Sequence, residues 1–471
     1  MKQFQGRHRP PHRQRQSNVK VAVGDHLPLS IKKLGVNGQG IGYFKHKVCF
    51  VPGALPGEEV VATVTKVHDH YLQGNIHRLR KASPDRVEPR DDYANDAGGF
   101  EFECLAYPAQ LKFKRQVVKD ALAKFKPTGW RNYDVRPTIA SPDQYQYRNK
   151  AQFPVRMVDG QAVAGLFRRD SHDLVPISTC AVQYPNTMKV MDAVVKMIND
   201  LQIPVFDPEN HSGIIKTLVV RESHSTGEIQ LTLITNTPKL IHKHQLLTRI
   251  KQELPAVSSV MQNVNPGDSS LVWGKQMIHL AGKEAITESL MGLDFHLSAR
   301  SFLQLNPVQT DNLYEETAKA LNLHGDDVLV DAYAGIGTIG LSLAPRVKRV
   351  VGMETISEAV ADANANAKLN GLTNAHYECG AAEELLPKWQ AEGLKFTALV
   401  VDPPRTGLDQ ALIKAILQTK PAKFAYVSCN MASLARNLRA LSRVYRVDYL
   451  QPVDMMPQTP RCEAVVKLSL R

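Results

Sequence analysis

No C-x-x-C pair occurs in the 471 residues, and the six cysteines, Cys49, Cys104, Cys180, Cys379, Cys429 and Cys462, lie far apart. This excludes a disulfide framework of the small secreted kind and points to reduced thiols in a cytoplasm. No uninterrupted apolar run reaches the roughly 18 residues that suggest a membrane span. The N-terminus lacks the apolar stretch of a signal peptide. It also lacks any acidic residue before Asp25, while Lys2, Arg7, Arg9, Arg13, Arg15 and Lys20 stand in a Pro/Gln-rich tail. Such a composition buries too little apolar surface to fold alone, so residues 1–20 are expected to form a disordered basic arm suited to phosphate contact. The whole chain is basic, with 58 Lys and Arg against 46 Asp and Glu and a net charge of +12, which suits a polyanionic partner.

What is present divides the chain. Its length exceeds one ordinary core, and 43% apolar residues are ample for two or three domains. From Val21 to Ala82, β-rich runs such as Val48–Val51 and Val60–Val64 alternate with glycines, the spacing of a small barrel. Gly24-Asp25, Gly38 to Gly42 and the run Phe50-Val51-Pro52-Gly53-Ala54-Leu55-Pro56-Gly57-Glu58 closely resemble the TRAM domain, an OB-like RNA-binding module, over residues 21–82. A linker, Ser83 to Val87, leads to a central α+β region over 91–300, read as facing the RNA. There Gln110 to Lys126 looks helical, and Ala151–Val155 and Ile229–Ile234 alternate like half-buried strands.

From Val328 the pattern changes. Val328–Asp331, Arg349–Glu354, Ala398–Asp402 and Phe424–Ser428 read as strands, with an Ala-rich helix from Ser357 to Leu369 among them. Such alternation predicts a parallel, doubly wound sheet whose ligand lies beyond the strand carboxyl ends. After the first strand, Gly335-Ile336-Gly337-Thr338-Ile339-Gly340 satisfies G-x-G-x-x-G, and Glu354 ends the next strand at a distance that suits ribose hydroxyls. The glycines alone admit a dinucleotide, an S-adenosylmethionine or a plain structural reading. Asp402-Pro403-Pro404 decides for the methyl donor: two prolines end the strand and present the preceding carboxylate to the cleft.

One strand further on, Cys429 stands at the same sheet edge. Exocyclic amines carry their own lone pair, but a pyrimidine C5 becomes nucleophilic only after a thiol or its like adds to C6. Methyl transfer to C5 then leaves a C5 proton for a general base. Glu463, opening the last strand after the Asp454–Pro460 loop, is placed either for that task or as a solvated surface residue.

Taken together, Ser301–Asn306, Asp331–Gly337, Asp402–Asp409, Ser428-Cys429-Asn430 and the Asp454–Glu463 tail resemble the RNA (uracil-C5-)methyltransferases, most closely the bacterial branch acting on 23S ribosomal RNA. The resemblance implies a C-terminal Rossmann-like class I S-adenosylmethionine methyltransferase domain over 301–471. It implies Gln304, Tyr333, Glu354 and Asp402 as cofactor contacts, Cys429 as nucleophile and Glu463 as base, in a monomeric cytoplasmic enzyme. The TRAM-like segment favours ribosomal over transfer RNA, because bacterial transfer-RNA enzymes of the group generally lack it. The rivals are the same reaction on transfer RNA and a non-catalytic RNA-binding assembly factor. Many relatives hold an iron-sulfur cluster on four cysteines. Here the places read Asp91, Ala97, Phe100 and Cys180, so no cluster or other metal is expected. Cys462 puts a second thiol next to Glu463 in sequence, so rescue of a Cys429 variant from there is a concern.

Overall fold

Glycine punctuation in the first segment produces short strands that curl into a closed sheet. The computed structural model describes residues 20–94, 96–168, 171–269 and 271–471; apart from Lys20, the arm expected over 1–20 lies outside the described residues. Strands β1 (His26–Ser30), β2 (Lys33–Leu34), β3 (Gly40–Phe44), β4 (Lys47–Val51), β5 (Glu59–Val67) and β6 (Tyr71–Lys81) run in the order β1-β5-β6-β4-β3-β2. Past β1 the chain reaches β3, where Lys32 N donates to Ile41 O at 2.8 Å, so the sheet returns on itself around Leu27, Leu29, Val51, Val60 and Leu72. The Phe50–Glu58 run serves this closure. Gly53 and Gly57 take φ of 73° and 85°, which glycine adopts without a Cβ penalty. The Glu58 carboxylate, buried completely, accepts from Leu55 N (2.8 Å), Ser83 N (3.2 Å) and Arg86 Nε (2.6 Å), bonds that offset its loss of hydration.

The chain divides after Arg86 into two compact units. The second begins with helix α1 (Tyr107–Phe125) and strand β7 (Asp134–Val135). A seven-stranded sheet follows, from β8 (Lys150–Val158), β9 (Gln161–Phe167), β10 (Leu174–Pro176), β11 (Ile215–Glu222), β12 (Ile229–Thr235), β13 (Val257–Val264) and β14 (Gln276–Gly282), in the order β10-β9-β8-β11-β12-β13-β14. Helices α2 (Pro185–Asp200) and α3 (Lys243–Glu253) seal one face through Met188, Met191, Val194, Leu246 and Ile250. The hairpin β15 (Ala285–Leu290) and β16 (Leu293–Ser298) lies against the other face, where Gln230 Nε2 donates to Leu297 O at 3.4 Å. Strand β8 alternates in burial as expected, but every residue of β12 is buried. Gln230 meets the hairpin instead of water.

The C-terminal sheet is built from α4 (Pro307–Leu321), β17 (Val328–Ala332), α5 (Thr338–Leu343), β18 (Arg349–Glu354), α6 (Ser357–Leu369), β19 (Ala375–Cys379), α7 (Ala382–Ala391), β20 (Ala398–Val401), α8 (Gln410–Thr419), β21 (Lys423–Ser428), α9 (Met431–Leu441), β22 (Tyr445–Val453) and β23 (Glu463–Leu470). Its order is β19-β18-β17-β20-β21-β23-β22-β7, parallel from β19 to β21, with β23 antiparallel to both neighbours. Strand addition reverses between β17 and β20, and there a doubly wound sheet opens its ligand crevice. Residues 107–135, expected in the central region 91–300, are built into this sheet instead: β7 pairs with β22, and Val118, Leu122 and Val135 share an apolar layer with Leu434 and Leu438 of α9. An amphipathic helix in a sequence does not reveal which sheet will bury it. Among the described residues no helix is long and apolar enough to cross a membrane.

Candidate active site

At the carboxyl ends of β17 and β18 the backbone is bent to leave room for a ligand. Tyr333, a non-glycine residue, is held at φ 65°, a conformation that costs about 1–2 kcal/mol and persists where surroundings enforce it. Gly335, at φ 56°, has nothing within 4 Å of where a Cβ would stand. Its N–H donates to Glu354 Oε2 at 3.1 Å, while Glu354 Oε1 accepts from Thr355 N (2.7 Å) and Ile356 N (3.0 Å). The carboxylate is thereby fixed at the rim. Gly340 answers a packing demand: a Cβ there would stand 2.5 Å from Asp331 Oδ2, which accepts from Gly340 N at 2.9 Å.

The next loops bring the acid and the thiol alongside. Asp402 follows β20 and Cys429 follows β21, parallel neighbours paired through Val401 and Tyr426. Asn430 ties the two loops together. Its Nδ2 donates to Arg405 O at 2.8 Å, and its Oδ1 caps α9 by accepting from Ala432 N at 3.0 Å. Cys429 thus sits at the positive end of an eleven-residue helix, whose dipole offsets part of the rise that the cleft imposes on its thiol.

All six residues expected at the site, Gln304, Tyr333, Glu354, Asp402, Cys429 and Glu463, line one cavity of about 980 Å³. That size is at the upper end for small-molecule clefts, room for more than one ligand group. Glu463 is 7% exposed. Burial, and then the charge of Asp402, pushes its carboxyl up to about 8. Burial pushes Asp402 up to about 7. The Cys429 thiol, exposed at the cleft, is raised by partial desolvation there and by the carboxylates of Glu463 and Asp402, and Arg405 opposes the rise. Glu463, Asp402 and Cys429 are close enough that the charge of one opposes ionisation of the next, and a ligand that brings positive charge relieves that repulsion.

Cys462 does not share this cavity. Successive residues of a strand point to opposite faces, and Cys462 joins the layer of Ala464, Val466 and Leu468 while Val465 joins the other. Burial pushes its thiol up to about 12. The concern that Cys462 could rescue a Cys429 variant finds no support in this placement: the thiol lies on the other side of the sheet.

Sequence reasoning missed the mouth of the cleft. Arg300, Arg405 and Arg436 line it together with Phe302, whose side chain is 64% exposed. An arginine directly after the two prolines was the available signal for one of them. The four positions compared with cluster ligands come together in the central core: Ala97, Phe100 and Cys180 pack in one apolar cluster, and Asp91 accepts from Ala181 N at 3.0 Å. Among the described residues no three His, Cys, Asp or Glu side chains are grouped for a metal ion.

A doubly wound fold with an acid-Pro-Pro turn and a cysteine at its crevice suits a methyltransferase, and comparison with known proteins places it among those that act on RNA. Residues 274–471 match the family described as tRNA (Uracil-5-)-methyltransferase, and residues 20–76 match the TRAM domain. An uncharacterized RNA methyltransferase of Lactiplantibacillus plantarum is 59% identical over 96% of this chain and 94% of its own length. Another, from Enterococcus faecalis, is 51% identical over 95% of this chain and 98% of its own. The crystal structure of a Pyrococcus abyssi tRNA (uracil-54, C5)-methyltransferase in complex with S-adenosyl-L-homocysteine is similar with a TM-score of 0.75 and 27% identity, over 94% of this chain and all of that one. The chain belongs to the tRNA (uracil-5-)methyltransferase family of RNA methyltransferases, with an N-terminal TRAM domain.

Proposed function

We propose that this protein methylates C5 of a uridine in 23S ribosomal RNA, in the cytoplasm and as a monomer, with S-adenosylmethionine as donor. The meeting of Cys429, Asp402 and Glu463 in one cleft carries this reading. Gln304, Tyr333, Glu354 and Asp402 hold the donor: open space at Gly335, the rim carboxylate of Glu354 and a cavity that favours positive charge fit an adenosyl sulfonium. When bound, S-adenosylmethionine supplies an electrophilic methyl group.

Cys429, having released its proton to solvent, adds as the thiolate to C6 of the uracil, forming an S–C6 bond while the C5=C6 π pair shifts to leave C5 an enolate carbon able to take the methyl group. Glu463, ionised, then accepts the C5 proton, the S–C6 bond breaks with its electron pair left on sulfur, and 5-methyluridine and the Cys429 thiolate are released. C5 and C6 are out of reach in a stack, so the nucleotide is extruded. Phe302 offers it a stacking face, and Arg300, Arg405 and Arg436 meet the flanking phosphates.

RNA carrying 5-fluorouridine tests the covalent route, since fluorine cannot leave as a proton does. The wild type should become covalently attached and Cys429→Ala should not. Absence of an adduct, under conditions where ordinary RNA is methylated, overturns the mechanism. Transfer RNA is the second reading, and one observation favours it: the Pyrococcus abyssi enzyme, named for transfer RNA, covers too much of this chain to leave out the TRAM segment. That segment alone does not separate the substrates. Mapping 5-methyluridine in both RNA pools from cells lacking the gene decides between them.

A further inference from the structure

The loop that delivers Glu463 is held by a helix more than three hundred residues earlier in the chain. Gln110 and Lys114, four apart on α1, share one helix face, and both are completely buried. Lys114 Nζ is paired with Asp454 Oδ1 and donates to Met456 O at 2.9 Å. Gln110 Nε2 donates to Gln458 Oε1 at 2.8 Å, and Gln110 Oε1 accepts from Gln458 N at 3.0 Å. This two-point grip falls on a residue at φ 65°, which its own backbone preference would not maintain. Tyr147 OH adds a bond to Pro457 O at 2.8 Å. Within the same loop Met456 lines the reaction cleft, and Glu463 follows at its end.

An ion pair with no solvent contact is poor evidence for stability, because lost hydration offsets its attraction. A role in geometry explains it better. The pair joins the start of the loop to a helix packed on α9, and the two glutamines hold its middle, a few residues ahead of the strand that bears Glu463.

We propose that Lys114, Asp454 and Gln110 form a positioning clamp that sets Glu463 against C5 of the substrate, and so govern removal of the C5 proton rather than thiol attack or methyl transfer. This rests on the reading of Cys429 as nucleophile and Glu463 as base. Loss of the clamp leaves the S–C6 bond formed and the methyl group on C5, with the C5 proton still in place. The covalent intermediate then persists.

The test compares two RNAs in the full-length protein. On 5-fluorouridine RNA, adduct formation reports only the steps before proton removal; on ordinary RNA, accumulated adduct reports a slow removal. Lys114→Met should form the fluorinated adduct within about threefold of the wild-type rate and bind S-adenosylhomocysteine equally well. It should lose at least about tenfold in turnover and accumulate adduct on ordinary RNA, an effect within the range of general-base catalysis. Lys114→Arg, which retains the charge and donors, should recover part of the turnover. Equal loss on both RNAs, or turnover within threefold of wild type, overturns the clamp. If Lys114→Met does not fold, Gln110→Ala leaves the ion pair intact and faces the same criteria. Failure of the wild type to form the fluorinated adduct would instead overturn the underlying mechanism.

Discussion

Glu463→Gln separates the catalytic demand on this residue from its burden on the fold. Burial and Asp402 raise its carboxyl from the ordinary 4.5 to about 8. Below about pH 4.5 folded and unfolded chains both hold the proton, and the residue has no effect on stability. Between that pH and about 8 the unfolded chain releases a proton that the folded chain keeps, so stability falls as pH rises; above about 8 the loss is complete. At about 1.4 kcal/mol per pH unit the ceiling is close to 5 kcal/mol, and relaxation around the coupled Asp402 reduces it to about 1–3 kcal/mol. Glutamine has the same shape and no charge to desolvate. We expect the variant and the wild type to unfold at similar urea concentrations at pH 4.5, and the variant to be the more resistant by that margin at pH 8. Turnover of the variant should fall by about 10²–10⁴. A gap that is the same at both pH values, or a variant less stable at pH 8, refutes the reasoning.

In the wild type Glu463 must be ionised to take the C5 proton, a step that follows methyl transfer, so kcat should climb roughly tenfold per pH unit from 6 to 7 and level above about 8; a flat kcat profile from pH 6 to 9 contradicts this. Asp402→Asn removes the neighbouring charge, so the midpoint of that profile should move to lower pH, even as binding of S-adenosylhomocysteine, measured by calorimetry, weakens. Cys429→Ala should abolish methylation and Cys462→Ala should retain it, as a labelled-methyl assay reads directly. Gly340→Ala forces a methyl group to 2.5 Å from Asp331 Oδ2 and should destabilise the cofactor loop by about 1–3 kcal/mol, seen as weaker binding of S-adenosylhomocysteine.

The strands around the cleft were legible because the local signals there are strong and agree. Apolar runs bounded by glycines or by the Asp402-Pro403-Pro404 turn leave few alternatives, and the helix from Ser357 to Leu369 matches its expected ends. Strand β12 was misread because alternation of Gln230 and Thr232 with apolar neighbours looks like a wet face, whereas the hairpin at Ala285–Ser298 covers it. Lys114 and Gln110 gave no signal at all. A lysine and a glutamine on an amphipathic helix read as solvated until a partner from residues 454–458 is folded against them.

Residue order alone determined which chemical groups exist and which strand ends carry them: a carboxylate before two prolines after β20, a thiol after β21, and glycines where a backbone must bend. Those properties follow from bonds and sterics within a few residues. Only the tertiary structure decided that Glu463 faces the cleft and Cys462 does not, and that α1 belongs to the C-terminal sheet, because side-chain direction and burial depend on register and on packing partners far away in the chain.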